Sequence, residues 1–141
     1  MKSTKYILAV IASFLSMGVI GLIWHYFLMK ELNLGFLLAL QGENQVFTNF
    51  WLWYTFYLIT VLIISLGLAY YYRVFYNFGS PVTAGLSFGF FSGLLCCLVA
   101  IPLLIVFASV AFLAMEVLGV MLQFILAGVL IGIIWGTDSS N

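Results

Sequence analysis

The amino-acid sequence predicts an all-α protein: an integral membrane four-helix bundle with its N-terminus and C-terminus cytoplasmic. Three observations predict it. Hydrophobic residues make up 66% of the 141-residue chain and charged residues only 6%, against roughly a quarter charged in a water-soluble domain. The few charges fall between uncharged runs long enough to cross a hydrocarbon core. Of the four basic residues, Lys2, Lys5 and Arg73 fall on one side of the barrier those runs would cross, and Lys30 alone on the other. Basic residues near span ends favour the cytoplasmic side, which orients the chain and gives a multi-pass protein of the cell inner (plasma) membrane. The length fits a single four-transmembrane-helix domain over residues 1–141.

The first span is expected at about 6–29. Lys2 and Lys5 form a basic n-region, but the apolar run after them is span length, longer than a secretory h-region. Ala9 and Ala12 come too early in it to mark cleavage, so the segment is expected to be an uncleaved signal anchor. A polar stretch, Lys30–Asn49, follows. The second span is expected at about 50–72, stopping at Arg73. A short segment with Asn77 and Gly79 leads to Pro81, well placed in the first turn of a helix, where its missing N–H costs nothing.

From Val82 to Trp135 there is one acidic residue, Glu116, and no basic one. A single helix over that run would be about 80 Å long, against a hydrocarbon core of about 30 Å. The run must therefore fold back, with spans expected at about 82–107 and 112–135. Aromatic residues fit the same depths. Trp24, Tyr26, Trp51, Trp53 and Tyr54 gather toward the outer interface, and Tyr6, Tyr70, Tyr71, Tyr72, Tyr76 and Trp135 toward the inner one.

Two glycine ladders supply helix-packing candidates: Gly85, Gly89 and Gly93 in the third span, and Gly128, Gly132 and Gly136 in the fourth. Spacing of four lays a smooth groove, a glycine zipper, along one helix face. Helices in lipid associate through such close contact. In an antiparallel hairpin paired positions share a constant residue-number sum. Pairing Gly85 with Gly136, Gly89 with Gly132 and Gly93 with Gly128 centres the turn between Val110 and Ala111. The grooves meet each other or a partner chain. The first helix carries a shorter small-residue patch, Ser13, Ser16, Gly18 and Gly21, as a second contact face.

Ionisable or strongly polar groups inside spans are functional candidates because burying them costs several kcal/mol. His25, Glu116 and Gln123 qualify as a candidate polar site. His25 ends an ascending helix and Glu116 begins a descending one, so the two reach similar depth. The pair suits a proton, or with Gln123 a ligand headgroup. The competing expectation is that both sit wet at headgroup level, with Glu116 favoured by the positive end of its helix. Cys96 and Cys97, mid-span, behave as small hydrophobes. Pro102 is expected to kink the third helix and free a carbonyl near Leu98. Arg73, among the aromatics of Ala69–Phe78, is expected to snorkel within the interfacial belt.

A formal net charge of zero gives no basic surface for nucleic acid. No zinc, phosphate-loop, haem or nucleophile-elbow motif is present, and one histidine cannot supply a bis-histidine haem. The expectation is therefore no enzyme activity, no cofactor and no metal site.

The Lys-Tyr-Ile-Leu-Ala-Val run beginning at Lys5, Trp24-His25, Gly79-Ser80-Pro81-Val82 with Gly85 and Gly89, and the terminal ladder ending at Trp135-Gly136 resemble small four-span bacterial inner-membrane proteins of unknown function. The resemblance implies the topology and carries no chemistry. Two functions are expected from the residues. The first is a structural or accessory membrane protein, acting through helix–helix packing in a homo-oligomer or larger membrane complex, with the lipid bilayer as its surroundings. The alternative is a small oligomeric transporter or channel with an outer-leaflet polar site at His25, Glu116 and Gln123.

Overall fold

The computed structural model describes residues 2–29, 50–75, 80–104 and 109–136. They form an all-helical bundle. Helix α1 is Lys2–Ile23 and passes directly into one π-helical turn, Trp24–Leu28. Helix α2 is Phe50–Phe75, α3 is Pro81–Leu104 and α4 is Val110–Gly136. All four are long and apolar enough to cross a membrane. Even the shortest candidate stretch, 21 residues over Tyr54–Val74, is about 31 Å long at helical rise, enough for a hydrocarbon core.

Local chemistry accounts for the helix starts. Pro81 opens α3, and Ser80 caps it. The Thr83 N–H donates to Ser80 Oγ at 3.3 Å and the Ala84 N–H to the Ser80 carbonyl at 2.9 Å. Ser109 caps α4 in the same way. The Phe112 N–H donates to its Oγ at 3.2 Å and the Leu113 N–H to its carbonyl at 3.0 Å. With this cap α4 starts at Val110, two residues before the expected start at about 112. Helix α2 runs past Arg73 to Phe75, since a cation in the last turn suits the negative end of the helix. Residues 105–107, expected to close the third span, and the Lys30–Asn49 stretch lie outside the described residues.

Helix α4 packs along α3 on one side and along α1 on the other, and α1 packs in turn on α2. The α3–α4 contact is close enough to bring backbones together. A Cβ on Gly85 would collide with the Gly128 carbonyl and lie 2.9 Å from Val129 Cα; one on Gly89 would collide with the Phe124 carbonyl. From the other side, a Cβ on Gly128 would collide with the Gly85 carbonyl, and one on Gly132 with the Pro81 carbonyl. A Cβ on Gly93 would lie 3.0 Å from Phe124 Cβ, and one on Gly136 would collide with the Pro81 ring.

The ladders meet, but about one and a half turns out of the expected register. Gly85 lies between Gly128 and Gly132, and Gly136 is left to Pro81. Gly128 in turn lies between Gly85 and Gly89, so the ladders interdigitate rather than pair glycine to glycine.

Small residues also bring α1 and α2 together. Ala9, Ser13, Ser65 and Ala69 are fully buried, and the Ser13 hydroxyl donates back to the Ala9 carbonyl at 2.8 Å. The outward faces are apolar on every helix, for example at Leu15, Ile63, Leu95 and Leu118.

Gly67 provides an internal control, because a Cβ there would meet nothing within 4 Å. Gly89→Ala is expected to lower unfolding stability by about 1–3 kcal/mol, since neither backbone can rotate away from the added methyl. Gly67→Ala is expected to raise it by about 0.5–1 kcal/mol through helix propensity alone. Thermal or denaturant unfolding in mild detergent reads both, and equal behaviour of the two variants would remove the close-contact account.

A buried polar site joining three helices

The π turn at the end of α1 builds this site. Its i+5 hydrogen bond, from the Met29 N–H to the Trp24 carbonyl at 2.9 Å, widens one turn and changes the direction in which Trp24 and His25 point relative to the α-helical spacing before them. His25 is 5% exposed, and its Nδ1 lies 3.4 Å from Glu116 Oε1 of α4. That is ion-pair range, beyond good hydrogen-bond length. Among the described residues, Glu116 is the one acidic side chain, and Lys2, Lys5 and Arg73 belong to the opposite end of the bundle. With one proton between them, His25 and Glu116 are neutral as a pair, whichever of the two holds it. The low-dielectric surroundings favour that state over one with a net charge.

Tyr57 of α2 completes the site. Its ring stands edge-on to His25, with centroids 5.7 Å apart. Its hydroxyl lies 2.5 Å from Gln123 Oε1 and 3.1 Å from the Met17 carbonyl of α1. A phenol has one proton and cannot donate to both. Turning the Gln123 amide satisfies all three groups: an amide N–H donates to the phenol oxygen, and the phenol O–H donates to Met17. Gln123 is 3% exposed, so these bonds take the place of water.

Glycines make the approach possible. A Cβ on Gly21 would overlap the Tyr57 hydroxyl, and one on Gly18 would lie 3.2 Å from Leu58 Cδ2. The Tyr54 hydroxyl donates to the Gly18 carbonyl at 2.6 Å, and the Tyr54 ring stacks on Tyr57 at 5.6 Å. On α4, Glu116, Gly119 and Gln123 share one face at helical spacing. The Trp24 indole covers Gly119, where a Cβ would lie 2.7 Å from Cδ1. The Trp24 Nε1–H is buried with no hydrogen-bond acceptor.

Of the residues singled out from the sequence, His25 and Glu116 come into direct contact, and Gln123 joins them through Tyr57. His25 lies inside the bundle, in contrast to the wet headgroup-level position held open for it. Trp24 and Tyr54, expected in an interfacial belt, turn inward to Gly119 and Gly18. Tyr26 and Trp51 stay on the surface, 42% and 64% exposed. The α1 patch at Gly18 and Gly21 meets α2. Tyr57 was not singled out at all; its signal was its spacing of three from Tyr54, opposite that glycine patch.

At the other end, the Arg73 guanidinium lies 5.8 Å over the Trp135 ring, and the Tyr6 hydroxyl donates to the Leu66 carbonyl at 3.1 Å. Cys96 and Cys97 carry free thiols on α3. Among the described residues, no three His, Cys, Asp or Glu side chains gather as metal ligands.

The fold and site together define an all-helical bundle of four potential membrane spans enclosing a His–Glu–Tyr–Gln constellation. No family model, curated protein or solved structure matches the chain.

Tyr57→Phe is expected to destabilise the protein by about 1–3 kcal/mol, because it strips a partner from buried Gln123 and from Met17. Adding Gln123→Leu is expected to recover part of that loss, since removing both partners leaves fewer unmet groups than removing one. A double-mutant cycle on unfolding in detergent measures the coupling, and strictly additive losses would contradict the bond.

Proposed function

We propose that this chain is a multi-pass protein of the cell inner (plasma) membrane with both termini cytoplasmic. We further propose that it works as a small transporter whose His25–Glu116 pair carries a proton inside the bundle. The membrane assignment is supported by the four apolar helices and by apolar outward faces. The orientation is supported by Lys2, Lys5 and Arg73 at one end of the bundle.

The observation that carries the transporter reading is the 3.4 Å approach of two ionisable side chains from separate helices, with His25 buried. Such a pair adds little to stability. Apolar side chains of similar volume in its place are often neutral or stabilising by about 1–4 kcal/mol. Ionisable groups facing the interior of a membrane bundle belong instead with proton and ion pathways.

The structural or accessory role, in a homo-oligomer or larger complex, is the second reading. Its support is the flank of α3 turned away from α4, where Phe91, Leu95, Leu98 and Val99 are each more than 60% exposed. It has lost part of its warrant, because the glycine ladders that suggested contacts with other chains are occupied by contacts within this one.

A pH jump applied to protein reconstituted on a solid-supported membrane tests the proton site without knowledge of the cargo. The native protein is expected to give a transient charge displacement as a proton enters the pair. Glu116→Gln, checked for unchanged helical content, is expected to lose it. A native protein indistinguishable from protein-free lipid would overturn the proton reading.

A further inference from the structure

The same constellation also indicates what else it can hold, an inference that rests on the proton-carrying reading above. With Glu116 ionised and His25 neutral, its charge favours a cation. Glu116 is the one formally charged side chain of the site when ionised, the other polar groups are a phenol, an amide and an imidazole, and no described lysine or arginine belongs to this end of the bundle. Its donor set is also poor for a hard inorganic cation, which takes six or more oxygens; among the described residues the carboxylate, the phenol, the Gln123 amide and the Met17 carbonyl offer oxygen here.

The site is instead rich in π surface. Tyr57 stands against His25, Tyr54 stacks on Tyr57, and the Trp24 indole lies over Gly119, one turn from Glu116. Aromatic faces attract cations, most strongly when both are out of water. Access favours the same class. The Glu116 side chain is 19% exposed where His25 is 5%, so the carboxylate is the member of the pair reachable from the bundle surface. The surface at this end, at Phe27, Leu28 and Leu118, is apolar. The titratable groups facing Glu116 are His25 from the π turn, Tyr57 from α2, with Tyr54 behind it, and Cys97 of α3, which lies within electrostatic reach.

We propose that the second ligand of the site is a lipophilic monovalent cation, an ammonium or quaternary ammonium-like charge on an apolar or aromatic body, which takes the place of the proton held by His25 and Glu116. When the cation pairs with the carboxylate, one O–H or N–H bond of the protonated pair breaks and its proton leaves to water. No electrons are transferred, and the site has the same net charge before and after. Proton and cation therefore compete for one position, which is the requirement for exchanging one against the other across a membrane.

Tetraphenylphosphonium and tetraphenylborate, near-isosteric ions of opposite charge, test this with the full chain in detergent. Equilibrium dialysis is expected to show saturable binding of tetraphenylphosphonium, one per chain, and no binding of tetraphenylborate above that of empty micelles. In the pH range where the pair is protonated, affinity is expected to fall about tenfold per pH unit of acidification, the slope for displacing one proton. Weakly buffered samples in that range are expected to release up to one proton per cation bound. Glu116→Gln is expected to abolish the binding, and Glu116→Asp to retain it with lower affinity and the same pH slope.

Equal binding of the two ions, affinity independent of pH throughout, or full binding by Glu116→Gln would overturn the proposal. If native protein gives the pH-jump displacement but does not bind tetraphenylphosphonium, the cation inference fails and the proton reading survives. If both signals are missing, both fail.

Discussion

Helix α4 has to satisfy two unlike neighbours at once, and the rest of the bundle follows from how it does so. On one side Gly128 and Gly132 admit the backbone of α3 at Gly85 and Gly89. On nearly the opposite side Glu116, Gly119 and Gln123 face α1 and α2. At 3.6 residues per turn these two sets cannot be moved independently. Sliding α4 against α3 by a turn would carry Glu116 and Gln123 about 5 Å along the bundle axis, away from His25 and Tyr57. The apolar contact that builds the hairpin therefore also sets the depth of the polar site.

The site shows how a bundle of this composition holds ionisable groups. His25 and Glu116 are opposite members of one pair, and a single shared proton leaves them neutral together. Gln123, Tyr57 and the Met17 carbonyl form a second set whose donors and acceptors match once the amide is turned. The π turn links the two sets, because it directs His25 to Glu116 and Trp24 to Gly119 from adjacent positions. Local π geometry inside an otherwise α-helical span is often found at functional positions. Here it gives one helix end two inward-facing side chains in succession.

Much of this architecture is legible residue by residue. The spacing of Lys30, Arg73 and Glu116 among apolar runs marks out the helices, and Ser80-Pro81 marks the start of α3. Ser109 is an equally clear capping signal for α4, whereas the ladder symmetry points to pairing about Val110 and Ala111. That symmetry is misleading for a definite reason: a four-residue repeat allows close approach both when its glycines pair and when they interdigitate. Trp24 and Tyr54 are legible only in part. Amphipathic rings near span ends usually belong to an interfacial belt, and only contact with Gly119 and Gly18 shows these two turned inward. Tyr57 lacks a charge, and its one signal is its spacing of three from Tyr54.

By itself the sequence determined the all-helical class, the number of long apolar helices and the residues whose burial requires a partner, because these follow from composition and from the distances between charges along the chain. The tertiary structure decided which partner each residue has. Register between α3 and α4, the inward turn of Trp24 and His25, and the recruitment of Tyr57 depend on the relative placement of helices far apart in sequence. Side-chain volume and backbone approach in three dimensions set that placement, and no local pattern of residues encodes it.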